Sequence, residues 1–231
     1  LDTKGLLPQH NTNGFKIISP LYPTSFKTHL TNPSKNAILL SPAIGRNKYD
    51  KLMVGGIVTN YTLPPTNFQF LFAPLYATGS KKASGAGKLG YTFSPNKTFD
   101  KINLSLSGLM FSTNSSLDSN GKKVFERAYK LSPSVRFTFS KQPRSTKETW
   151  LEARTYVIKE DEFTKFVTKF SDERTYVDSN ALSTRYVNQL TFSKQDNRSL
   201  YPYDFTLQVQ QGKGFYRTNF TGHYFFNYAI F

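Results

Sequence analysis

The chain has 231 residues, no cysteine and a formal net charge of +15. Lack of Cys excludes a disulfide scaffold and a Cys-based zinc site, and no run of eighteen apolar residues is present to make a transmembrane helix. Aromatics reach 16% while all hydrophobic residues total 38%, an imbalance unlike a soluble core built on Leu, Ile, Val and Ala.

Leu1-Asp2-Thr3-Lys4 is no secretory signal, so the chain reads as mature or as cut from a longer protein. Residues 1–35, with Pro8, Pro20, Pro23 and Pro33, read as a linker or strap ahead of the strands. Beyond it, strict alternation of apolar and polar residues predicts β-strands. Ten are expected, at 37–45, 51–61, 66–77, 84–94, 99–112, 125–140, 147–159, 178–193, 202–212 and 215–230. Most exceed the five or six residues usual in soluble sheets and match a tilted strand crossing a bilayer.

The alternation divides the side chains into two sets. Phe68, Phe70, Phe72, Ile102, Leu104, Leu106, Val135, Phe137, Phe139, Phe205, Leu207, Val209, Tyr224 and Phe226 are expected to face lipid. Asn103, Ser105, Arg136, Glu152, Arg154, Asp204, Gln208 and His223 are expected on the polar, lumen-facing side, where ion pairs and hydrogen bonds fill the interior. Tyr49, Tyr61, Tyr76, Tyr91, Tyr129, Tyr203, Tyr216 and Tyr228 lie near predicted strand ends, as in an interfacial aromatic belt.

Connections near 62–65, 94–97, 141–144 and 196–197 are short, while 113–124 and 160–177 are long. Short turns at one end and longer loops at the other fit an outer-membrane barrel, although 78–83 and 212–214 are short where that pattern wants long. The pentapeptide Thr-Phe-Ser-Lys-Gln occurs at 138–142 and again at 191–195, each copy followed closely by Arg-Ser. Both copies close even-numbered strands, so both reach one end of the barrel, with Phe139 and Phe192 at the membrane boundary.

Between the seventh and eighth strands, Glu160-Asp161-Glu162 precedes Phe163, Phe166, Val167 and Phe170 at helical spacing. This predicts a short amphipathic loop helix over 160–172, packed over the outer mouth or docking a partner. Gly55-Gly56 and Gly85-Ala86-Gly87 mark sharp curvature or close packing in the wall. His10, His29 and His223 form no metal-binding motif, and no nucleophile elbow, P-loop or dinucleotide fingerprint is present, so no catalytic, metal or cofactor site is assigned. Lys and Arg concentrate in turns, which favours anionic lipid headgroups over nucleic acid as their partner. A soluble β-sandwich, with the two apolar faces packed together, is the competing architecture.

Longer stretches carry a family resemblance. They include Ser41-Pro42-Ala43-Ile44-Gly45-Arg46-Asn47-Lys48-Tyr49-Asp50, Leu63-Pro64-Pro65, Ala73-Pro74-Leu75-Tyr76-Ala77, Leu200-Tyr201-Pro202-Tyr203 and Gly214-Phe215-Tyr216-Arg217. So does Asn219-Phe220-Thr221-Gly222-His223-Tyr224-Phe225-Phe226-Asn227-Tyr228. These resemble the C-terminal region of Bacteroidetes aminopeptidase-N-like (gluzincin) zinc metallopeptidases. The resemblance implies an all-β antiparallel transmembrane barrel at 36–231, either by itself or as part of a larger one. It would anchor a metallopeptidase-like protein in the outer membrane, with lipids as its partner, and would make residues 1–35 a linker or strap from an upstream periplasmic domain. It carries no zinc ligand or catalytic glutamate onto this chain. A channel or subunit of an outer-membrane secretion or assembly complex, and a zinc aminopeptidase whose catalytic domain lies elsewhere, are the alternatives.

Overall fold

A computed structural model describes residues 21–23, 36–61, 65–95, 98–118, 120–142, 144–163, 166–168, 175–177 and 180–226. In chain order the strands are β1 (Leu21–Pro23), β2 (Asn36–Asn47), β3 (Lys51–Thr59), β4 (Phe68–Ala77), β5 (Lys82–Phe93), β6 (Phe99–Asp118) and β7 (Lys123–Phe139). They continue as β8 (Lys147–Phe163), β9 (Phe166–Thr168), β10 (Thr175–Val177), β11 (Asn180–Asp196), β12 (Tyr203–Gly212) and β13 (Phe215–Tyr224). The ten long strands, β2 to β8 and β11 to β13, form one antiparallel meander in which each pairs with its neighbour in sequence. No helix occurs among the described residues. Among the described residues all strands join one sheet and many of its large apolar side chains are exposed, which disfavours the sandwich alternative.

The sheet is open. Among the described residues β2 and β13 are edge strands that do not pair with each other. β1 covers only the start of the β2 edge, pairing in parallel at Asn36 to Ile38. This is the one described piece of the expected 1–35 strap; the rest lies outside the described residues.

Two expectations about the connections are corrected. The predicted loop 113–124 is mostly strand, because β6 continues to Asp118 and pairs with β7 from Lys123 onward. The hairpin closes over a tight turn in which Asp118 Oδ1 accepts from Asn120 N and Lys122 N. The predicted helix at 160–172 is likewise absent where it is described. Glu160 to Phe163 continue β8 and pair with β11, while Phe166–Thr168 pairs antiparallel with Thr175–Val177. Arg185 on β11 binds Glu160 and Glu162, whose alternate spacing fits one face of a strand. Residues 164–165 and 169–172 lie outside the described residues.

Close backbone packing centres on Pro74, which lies inside β4 although proline cannot donate to a ladder. Its two flanking strands meet it with glycines. A Cβ on Gly55 would come within 2.0 Å of Pro74 O, and one on Gly85, at φ +148°, within 2.2 Å of Ala73 O. The small residues at 55 and 85 thus permit the sheet to pass a residue that weakens its own ladder.

Alanine at Gly55 or Gly85 is expected to lower stability by about 1–3 kcal/mol through forced displacement of β4. Alanine at Gly90, whose nearest atoms would be 3.8 Å away, is expected to be neutral. Urea-unfolding midpoints of the three variants measure this.

Candidate functional site

The register aligns side chains into rows that cross the sheet. One row runs Thr92, Asn103, Arg136, Glu152, Thr191, Gln208, Asn219. The adjacent row runs Phe93, Ile102, Phe137, Leu151, Phe192, Leu207, Phe220. On the other side of the polar row comes Tyr91, Leu104, Val135, Ala153, Leu190, Val209, Thr218. Since successive residues point to opposite faces, one face of seven consecutive strands is apolar and the other polar.

The strand-borne residues of the apolar set share one face of the sheet and those of the polar set share the other. Phe68, Phe70 and Phe72 pair with Tyr91, Leu89 and Gly87, in step with Leu104 and Leu106. Phe139 and Phe205 share the apolar face with Phe137 and Leu207, and Tyr224 shares it with Phe220. Phe226 lies beyond β13, exposed, with its ring 4.6 Å from that of Tyr224. Asn103, Ser105, Arg136, Glu152, Arg154, Asp204, Gln208 and His223 all fall on the polar face. The division is less clean in β3 and β4, where Met53, Leu71, Ala73 and Leu75 occupy the side that carries polar residues elsewhere.

Burial is inverted relative to a soluble domain. Ser132, Glu152, Thr191 and Ser193 on the polar face are buried, whereas Leu40, Ile44, Leu190 and Phe220 on the apolar face are exposed, the last at 68%. Polar side chains are the more crowded ones in these rows, although Phe70 on the apolar face is buried as well.

Crowding is offset by mutual hydrogen bonding. Asn103 Nδ2 donates to Thr92 Oγ1 (2.7 Å), Gln210 Nε2 to Gln189 Oε1 (3.0 Å) and Thr206 Oγ1 to Ser193 Oγ (3.1 Å). Ser105 and Ser134, directly opposite one another, share a 2.7 Å bond. At the centre, Glu152 accepts from Arg136 Nε (2.8 Å) and Nη2 (2.5 Å) through Oε2, and from Arg154 Nη2 through Oε1. The Arg136 guanidinium also stacks over the Trp150 ring at 4.2 Å. One buried carboxylate between two half-exposed guanidiniums leaves this cluster with a positive excess.

The two Thr-Phe-Ser-Lys-Gln copies do approach the same end of the sheet, and both Phe139 and Phe192 lie on the apolar face. They are out of step by one pleat. Phe192 is level with Leu151 and Phe137, so Phe139 lies two residues nearer the strand end. The second copy stays within β11, where Lys194 pairs with Phe205.

A second polar centre was not foreseen from sequence. Asp50, in the β2–β3 turn, is fully buried. It accepts from Ser80 Oγ (2.5 Å), Ser112 Oγ (2.7 Å), Ser112 N (2.8 Å) and Asn47 Nδ2 (2.9 Å). Asn47 Oδ1 in turn caps the turn by accepting from Tyr49 N and Asp50 N. Burial raises the Asp50 carboxyl, but the hydrogen bonds from Ser80, Ser112 and Asn47 outweigh it, so its pKa lies below the ordinary 3.8. Three hairpins are thereby tied at one end of the sheet. The Asn-x-x-Asp turn was a legible local signal; the serines, 30 and 62 positions away, had none. Among the described residues no group of three His, Asp or Glu side chains gathers as a metal site.

Because the folded Asp50 binds its proton more weakly than the unfolded one, its stabilisation is complete above the unfolded pKa. It is lost as pH falls below about 3.8. Asp50→Asn is expected to be less stable at neutral pH by about 2 kcal/mol, having lost charge-assisted bonds, and to show a flatter decline in acid. Unfolding midpoints of both proteins from pH 2 to 7 test this, and parallel curves would contradict it.

Comparison with protein-family models, curated proteins and solved structures finds no match to this chain.

Proposed function

We propose that the chain is wall of an outer-membrane β-barrel, with its apolar face in lipid and its polar face on the lumen. We read it as the membrane anchor of a larger aminopeptidase-N-like metallopeptidase, to which its sequence bears the resemblance described above. The observation that carries the wall reading is the register. Rows such as Ile102–Phe137–Leu151–Phe192–Leu207–Phe220 keep one face greasy across many strands while that face stays uncovered. Water penalises such a surface, and hydrocarbon does not.

Dimensions support the reading. Eight residues separate Phe68 from Tyr76 on β4 and Tyr216 from Tyr224 on β13. At roughly 3.4 Å per residue and a tilt of about 40° this spans about 21 Å, near the ~25 Å apolar band of such walls. Each of these strands thus sets aromatic rings at both rims, with Pro74 and Phe72 or Phe220 between them.

Lipid also requires that every backbone N–H and C=O be paired. The edges β2 and β13 must therefore close in the membrane, on each other or on further strands. Ten strands in a meander leave these two edges antiparallel, so both routes preserve an antiparallel wall. In this role the chain contributes no catalytic group, and peptidase chemistry would belong to a preceding domain. A conducting lumen is the second reading. It draws on the charged lining of the polar face, where Lys88, Lys130, Arg136, Arg154, Arg185 and Arg217 stand beside Glu148, Glu152, Glu160 and Asp204.

Leu106→Arg puts a charge at mid-depth on the apolar face and is expected to cost roughly 2–4 kcal/mol or to block assembly. Ser105→Arg, one residue away on the polar face, is expected to be far better tolerated. Folding yield into detergent micelles and bilayers reads the difference; equal tolerance would overturn the assignment of faces.

A further inference from the structure

The apolar face is not smooth. A trough of about 1340 Å³ runs across the middle of β4 to β8. Its floor is a place where side chains are missing. Within the row Phe72, Gly87, Gly108, Leu131, Val157, Tyr186, two neighbouring positions are glycine. A Cβ on Gly87 would point at the Phe72 ring and one on Gly108 at Leu131 Cδ1, 3.0 and 3.6 Å away. Both therefore open onto the apolar face. The walls are Phe72, Tyr76, Leu106, Leu131 and Val157. The trough exceeds the roughly 300–1,000 Å³ of an ordinary small-molecule pocket and its lining is predominantly apolar, so it suits a long flexible hydrocarbon chain.

Its rim nearer the β6–β7 hairpin is chemically different. The next row in that direction is Pro74, Gly85, Met110, Tyr129, Lys159, Thr184. Lys159 and the phenols of Tyr129 and Tyr186 thus border the same trough, and Lys159 is exposed. Arg127, one step further on β7, lies over the Tyr129 ring at 5.3 Å and donates through Nη2 to Ala83 O. It is itself 9% exposed, with its Nε unpartnered. Asp161, two residues beyond Lys159 on the same face, is the outer limit of this cationic rim.

We propose that this trough is a seat for one membrane phospholipid with an anionic, phosphate-bearing headgroup. An acyl chain lies over Gly87 and Gly108, and the phosphate is held by Lys159 with Tyr129 and Tyr186. The proposal rests on the membrane-wall reading. A purely greasy contact would bind any lipid alike; the cation and the two hydroxyls at one end of the trough select a phosphate without a compensating positive headgroup.

The purified 231-residue chain, delipidated in detergent and then placed in nanodiscs, is titrated with phosphatidylglycerol or phosphatidylcholine, and retained lipid is counted by native mass spectrometry. One phosphatidylglycerol is expected to be held at least tenfold more tightly than phosphatidylcholine. Gly108→Leu, which fills the floor, is expected to weaken it at least tenfold. Lys159→Glu, a surface change that leaves the fold intact, is expected to abolish the headgroup preference. Equal retention of both lipids, or full selectivity in Lys159→Glu, overturns the proposal. So does a dimer that Gly108→Leu dissociates, which would give the trough to a second copy. Failure of the wild-type chain to enter nanodiscs at all would instead bring down the wall reading, and the lipid seat with it.

Discussion

Ladder register is the constraint on which this structure depends. A strand has only two faces, and a slip of one residue exchanges them completely. Here the pairing of β5 to β8 and of β8, β11, β12 and β13 keeps Leu104, Val135, Leu190 and Val209 in one row and Asn103, Arg136, Glu152 and Gln208 in the next. Polar residues then become mutual partners because they are forced together. Glu152 sits between two arginines since β7 and β8 align Arg136 with it, while Arg154 follows two residues along its own strand. Such a pair contributes little to net stability, as desolvation cancels much of the attraction. What it does secure is the register, because a one-residue slip would turn these charges towards the greasy side.

The same sheet handles three departures from regularity with local means. Pro74 is accommodated by glycines on both flanking strands. The β6–β7 hairpin outruns its neighbours, and β10 adds a short parallel pairing to β6 near Leu117. Asp50 gathers Asn47, Ser80 and Ser112, so the ends of three hairpins share a single buried carboxylate. Each device lies at a rim or beside a proline, and the central rows have none.

Strand number and order were legible in the sequence because period-two alternation survives wherever one face is greasy and the other polar. Ile102 to Ser107 and Tyr203 to Gln210 show it without a break, and both lie in strands at the expected places. Legibility failed where alternation faded. Residues 113–118 are rich in Ser, Thr and Asn, and read as a loop, yet backbone pairing to β7 holds them in a strand. Phe163, Phe166, Val167 and Phe170 suggested a helix, but cross-strand pairing of Glu160 and Glu162 opposite β11 overrode that local pattern. The two faces could be assigned residue by residue, whereas the partners across them could not. Glu152 and Arg136 are sixteen positions apart, Asp50 and Ser112 sixty-two, and only the register brings them together.

The central claim is that hydrocarbon covers the apolar face, and the single tryptophan offers a direct probe of it. Trp150 belongs to the polar face, stacked on Arg136. Leu190, exposed at 48%, lies in the middle of the apolar one. In bilayers with brominated acyl chains, Trp150 fluorescence should be quenched weakly, while Leu190→Trp in a Trp150→Phe background should be quenched strongly. Equal quenching at the two positions, or a chain that remains folded and monodisperse in detergent-free buffer, would contradict the account.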